Sequence, residues 1–146
     1  MTQYKIFDDV PQEIQEAVRK TMFSRDFTWS LFDGVSSGFD PGVKMSKTIL
    51  RWGGQSKEIP QHHMEVLYSI PKWLFQLNIL YELISYRANI TYRNLVPEHD
   101  FHTDSDHPSV MAGIYYATDT NGGTEFEDGT VIPGKQGTLA VFPANA

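Results

Sequence analysis

The chain predicts an α+β fold: an antiparallel jelly-roll core with helices packed on one face. Two observations carry that expectation. Apolar residues at helical spacing occupy stretches of the first half, whereas the second half breaks into short alternating runs separated by turn signals. Helical segments followed by closely spaced strands belong to the layered α+β and jelly-roll architectures. At 146 residues the chain is most simply one domain, residues 1–146, long enough to bury a core without staples.

The elements follow in order. Asp8-Asp9-Val10-Pro11-Gln12-Glu13 reads as a helix start, with Pro in the first turn and acidic residues near the positive end of the dipole. Ile14, Val18 and Met22 continue it as one apolar stripe, giving a helix over 11–23. Phe27 to Phe32 reads as a short aromatic strand ended by Asp33-Gly34. Ser36 to Lys57 is rich in Gly and Ser and is expected to be mostly loop, interrupted by a short strand around Thr48-Trp52. Gln61 to Ser69 predicts a helix, and Pro71 opens another whose apolar face (Trp73, Leu74, Leu77, Leu80, Tyr81, Ile84) is core. His62 and His63 fall at the start of the first of these and read as solvated or capping residues. Strands are then expected over Ala88–Tyr92, His99–Asp104, Ser109–Thr118, Thr124–Glu127, Val131-Ile132 and Gly137–Phe142. Asn121-Gly122-Gly123, Asp128-Gly129 and Pro133-Gly134 serve as turns, with Gly122-Gly123 read as positive-φ geometry.

Composition narrows the function. Hydrophobic residues make up 40% and charged residues 21%, ordinary values for a globular protein. Cysteine is absent, so disulfides and thiolate metal sites are excluded and any metal must rely on His and carboxylates. A net charge of -6 without a Lys/Arg cluster disfavours nucleic acid. No apolar run approaches the roughly 18 residues that span a bilayer. The opening Met1-Thr2-Gln3-Tyr4-Lys5 lacks the pattern of a signal peptide, so a cytoplasmic protein is expected, with no membrane partner.

The chemistry centres on His102-Thr103-Asp104. On a strand, a His-x-Asp pair puts an imidazole and a carboxylate on one face. These are two of the three ligands of a 2-His-1-carboxylate facial triad. The same pair also occurs on solvent-facing strands without a metal. The polar turn Asp104-Ser105-Asp106-His107-Pro108 leaves the pair at a strand end, where an open coordination position could face a cavity. The next strand puts Val110, Ala112, Ile114 and Tyr116 on one face, with space for a small molecule. Asp106 and His107 could in principle replace a missing ligand, but adjacent residues on a turn rarely complete a facial triad. The acidic run Asp119 to Asp128 fails as a calcium loop, because Gly123 and Thr124 occupy the wrong positions.

His102-Thr103-Asp104, Gly113-Ile114-Tyr115-Tyr116, Gly122-Gly123-Thr124-Glu125-Phe126 and Gly137-Thr138-Leu139-Ala140-Val141-Phe142-Pro143 occur in that order and at suitable spacings. Together they resemble the 2-oxoglutarate/Fe(II)-dependent oxygenases, in the prolyl 4-hydroxylase-like branch with its phage and marine-microbial members. The likeness runs from about Ile84 to the end.

The resemblance implies a double-stranded β-helix and an oxidative reaction at Fe(II), with 2-oxoglutarate as cosubstrate and ascorbate as accompanying reductant. His102 and Asp104 match the first two iron ligands. Tyr116 matches a position that binds the distal carboxylate of 2-oxoglutarate, and Tyr92 another cosubstrate-pocket tyrosine; as residues alone, both read first as core tyrosines. A peptidyl side chain or a small molecule is the implied substrate. The family's distal His and cosubstrate-binding Arg would fall near Phe142–Ala146 and beyond, and neither is present. The last strands of the barrel are expected to be missing with them. Two readings follow: a dioxygenase weakened or inactivated in this chain, and a non-catalytic binding or structural module of the same fold. In the second, a homo-oligomer covers the open barrel edge.

Overall fold

The computed structural model describes residues 4–33, 43–51, 54–80, 82–91 and 101–145. Among these residues the chain is α+β, with antiparallel sheets and no closed barrel. It forms two compact units, one from residues 1–19 and 101–146, the other from residues 20–100.

The first unit holds β1 (Lys5–Phe7), most of α1 (Gln12–Met22), β6 (Met111–Tyr115), β7 (Gly123–Glu125), β8 (Val131–Pro133) and β9 (Leu139–Pro143). Strand β9 lies between β1 and β6, antiparallel to both, with Lys5 opposite Val141 and Gly113 opposite that same residue on the other side. Leu139 through Phe142 are all buried, which explains why this strand reads as a continuous apolar run rather than an alternating one. Strands β7 and β8 form a hairpin closed over Glu127-Asp128-Gly129; Gly129 adopts φ 82°, and the Thr130 amide donates to Asp128 Oδ1 at 3.0 Å. Phe126, Ile132, Ala140 and Phe142 form a core cluster, with Tyr4, Ala112, Ile114 and Tyr116 packed against it. The even-numbered face of β6 expected from its alternation is therefore the face that packs.

The expected positive φ at Gly122-Gly123 does not occur; among the described residues the positive-φ glycines are Gly129 and Gly137. Gly123 instead begins β7, and a Cβ there would collide with the Ile132 carbonyl across the hairpin. Close backbone approach, not turn geometry, requires this glycine.

The second unit contains β2 (Ser30–Asp33), β3 (Val43–Arg51), β4 (Gly54–Gln55), α2 (Gln61–Leu67), α3 (Ser69–Gln76) and β5 (Ser85–Thr91). All three other strands pair with β3. The expected loop over 36–57 is thus corrected: a nine-residue strand occupies its middle. Its buried polar residues, Ser46 and Lys47, are satisfied in place. Ser46 Oγ donates to Asn89 Oδ1 at 2.8 Å, and the buried Lys47 ammonium donates to Glu58 at 2.7 Å and Thr28 at 3.2 Å. A bulge at Ile49 interrupts the pairing with β5, and the Ile49 carbonyl accepts the Ser56 amide instead.

Helix α3 also stops short of the expected Ile84. Asn78 takes φ 56°, its amide donates to Phe75, and the Ile79 amide reaches back to Leu74. This pair of bonds is a Schellman closure around a left-handed residue. Leu77, Leu80 and Ile84 therefore leave the helical stripe. Among the described residues no helix is long and apolar enough to cross a membrane.

Candidate functional site

Residues 101–104 are irregular rather than a strand, so the His-x-Asp pair does not owe its geometry to strand alternation. The Asp104 and Ser105 amides both donate to the Ala144 carbonyl, at 2.8 and 3.2 Å, and the Ala144 amide donates to Val110 at 2.9 Å. One carbonyl just beyond β9 thus anchors the segment, and ladder pairing is not needed to hold it.

The two side chains still converge. His102 Nε2 lies 4.0 Å from Asp104 Oδ1, with the side chains 57% and 46% exposed. Metal bonds of about 2.1 Å hold adjacent ligand atoms about 3.0 Å apart, so gripping one ion requires the pair to close by about 1 Å. Exposed side chains can make that adjustment within their rotamer wells. Beside them lies a cleft of ≈ 300 Å³ lined by Phe101, His102, Thr103, Glu127 and Asn145.

Other expected site residues lie differently. Tyr116 is half-buried in the core cluster, and its hydroxyl is 2.6 Å from Thr124 Oγ1; it does not line the cleft. Burial raises its pKa, and the Thr124 hydrogen bond partly offsets this. Tyr92 lies outside the described residues. His107 accepts the Ser109 amide on Nδ1 at 3.3 Å, a local turn contact. Among the described residues, no third His or carboxylate joins His102 and Asp104 in a cluster of three. Glu127, which sequence reasoning passed over, lines the cleft because the β7–β8 turn carries it there.

The donor chemistry can be tested against the implied cofactors. One imidazole and one carboxylate suit Fe(II) as part of a ligand set. Among the described residues, the cleft lining contains no Lys or Arg for a dicarboxylate, and it includes the Glu127 carboxylate. The metal therefore fits two donors, while the described lining residues offer 2-oxoglutarate no charge-assisted partner.

One group of three does form elsewhere among the described residues: Asp26, His62 and His63. The reading of the two histidines as solvated or capping residues is corrected for His63, whose side chain is only 6% exposed and pairs with Asp26. Compared with family models, curated proteins and solved structures, the chain gives no match.

Proposed function

We propose that the chain carries a metal-dependent oxygenase-type domain of the 2-oxoglutarate/Fe(II) class, built on a jelly-roll core. The observation that carries this reading is the approach of His102 Nε2 and Asp104 Oδ1 to 4.0 Å beside a cleft. The packing of the β7–β8 hairpin against β6 and β9 through one core supports the two-layer arrangement. The resembling motifs fall on the elements around it: Gly113–Tyr115 on β6, Gly123–Glu125 on β7 and Leu139–Pro143 on β9.

In this reading His102 and Asp104 hold the metal, which when bound supplies activation of O2 toward a peptidyl or small-molecule substrate. Phe101 and Thr103 wall the cleft beside the pair, and Ala144 fixes its backbone. The test is 2-oxoglutarate binding under anaerobic conditions with and without Fe(II). The reading expects binding that requires the metal and is lost in His102→Ala. Binding without metal, or binding unchanged by that substitution, would contradict it.

A second reading has its own observation. Glu127, with no Lys or Arg among the described lining residues, favours a non-catalytic module that binds a cationic or neutral group in the cleft. Glu127→Gln would then alter ligand binding without any requirement for metal.

A further inference from the structure

The second cluster of metal-ligating side chains lies far from the His-x-Asp pair in sequence and does not depend on its reading. Asp26 sits in the turn that follows α1, closed by the Phe27 amide donating to Ser24 at 3.2 Å. His62 and His63 lie in the first turn of α2. Both imidazoles aim Nε2 at the one carboxylate: His63 at 2.9 Å from Oδ1 and His62 at 3.4 Å from Oδ2. One ligand atom from each of the three residues lies within 4.8 Å of the other two. Tetrahedral bonds of about 2.1 Å set ligand atoms about 3.4 Å apart, near the 3.4 and 2.9 Å that already separate each imidazole from the carboxylate.

The surroundings favour a cation at that point. The Phe27 ring meets the His63 ring edge-on at 6.0 Å and Ser24 Oγ lies 3.3 Å from its Nε2, which fixes the buried ligand. The His62 and Asp26 side chains are 68% and 57% exposed, leaving an entry path and room for a water ligand. A single His–Asp hydrogen bond would explain one imidazole; it does not explain two converging on the same carboxylate. Two nitrogens and one oxygen suit zinc-class ions better than calcium or magnesium.

We propose that Asp26, His62 and His63 form a separate binding site for a zinc-class divalent transition-metal ion, with water completing its coordination. The ion clips the turn after α1 to the start of α2 and stabilises the fold by mass action.

The full chain carrying His102→Ala and Asp104→Ala removes the other candidate ligands and provides the background for the test. Co(II) is titrated by visible absorption, and Zn(II) is followed by thermal shift and by displacement of Co(II). The expected result is saturable binding of one Co(II) per chain, displaced by Zn(II), with a rise in Tm. Adding His62→Gln or Asp26→Asn, both at exposed positions, weakens binding at least about tenfold. Circular dichroism without metal verifies that these variants fold. Absence of saturable binding in the background protein, or an affinity in both added variants unchanged from that background, would overturn the proposal.

Discussion

The Asp104 amide donates to the Ala144 carbonyl at 2.8 Å, so the last residues after β9 hold the acidic half of the His-x-Asp pair. Ala144 is itself buried, with its own amide tied to Val110. A larger side chain there must push this backbone away. Ala144→Leu is expected to cost about 1–3 kcal/mol by overpacking. It should also accelerate hydrogen exchange at the Asp104 and Ser105 amides. Unchanged exchange at both would show that Ala144 does not anchor the loop.

Neighbouring glycines should respond differently to one methyl group. At Gly123 a Cβ meets the Ile132 carbonyl, whereas at Gly122 the nearest atom is Thr120 Oγ1 at 3.6 Å, an ordinary contact. Gly123→Ala should lower stability by about 1–3 kcal/mol, with Gly122→Ala within about 0.5 kcal/mol of the parent. Urea denaturation of the two variants checks the contrast.

Adjacent tyrosines on β6 and just beyond it should also part company. The buried Tyr115 hydroxyl finds no partner among the described residues, while that of Tyr116 bonds to Thr124. Tyr115→Phe is expected to be neutral or stabilising by about 1 kcal/mol, and Tyr116→Phe to lose about 0.5–1.5 kcal/mol. Burial pushes the Tyr115 pKa up to about 12. The unfolded chain releases that proton near the ordinary value of about 10, so the stability contribution is complete below pH 10 and declines as pH rises toward 12. Tyr115→Phe should flatten this alkaline limb in denaturation curves measured between pH 9 and 12.

Asn78 offers a test of helix termination. Its φ of 56° lies where a side chain is strained and Gly is not. Asn78→Ala should destabilise by about 1 kcal/mol, and Asn78→Gly should be neutral or better. If Ala matches Gly in thermal melts, the Schellman closure of α3 is not as described.

These particulars show what the residues made legible. Helix α1, the β7–β8 hairpin and β9 follow from local signals: the Ile14/Val18/Met22 stripe, the Asp128-Gly129 turn and an apolar run. Strand β3 was hidden because Ser46 and Lys47 look like loop residues until Asn89, Thr28 and Glu58 supply their partners. The end of α3 had a signal in Asn78, overridden by the apolar stripe that continued past it. His102 and Asp104 are legible from their residue types, but strand alternation does not hold them; the Ala144 carbonyl, about forty residues along the chain, anchors their segment. Asp26 could not be joined to His62 and His63 by spacing, because only tertiary folding brings the turn after α1 to α2.

The central claim is that His102 and Asp104 ligate one divalent cation. The direct measurement is Mn(II) titration, with Mn(II) standing in for Fe(II), followed by residue-resolved amide NMR. The account predicts paramagnetic broadening at His102 and Asp104 and at their cleft neighbours Phe101 and Asn145, abolished by Asp104→Ala. Broadening that spares this segment, or that persists there in Asp104→Ala, would contradict it.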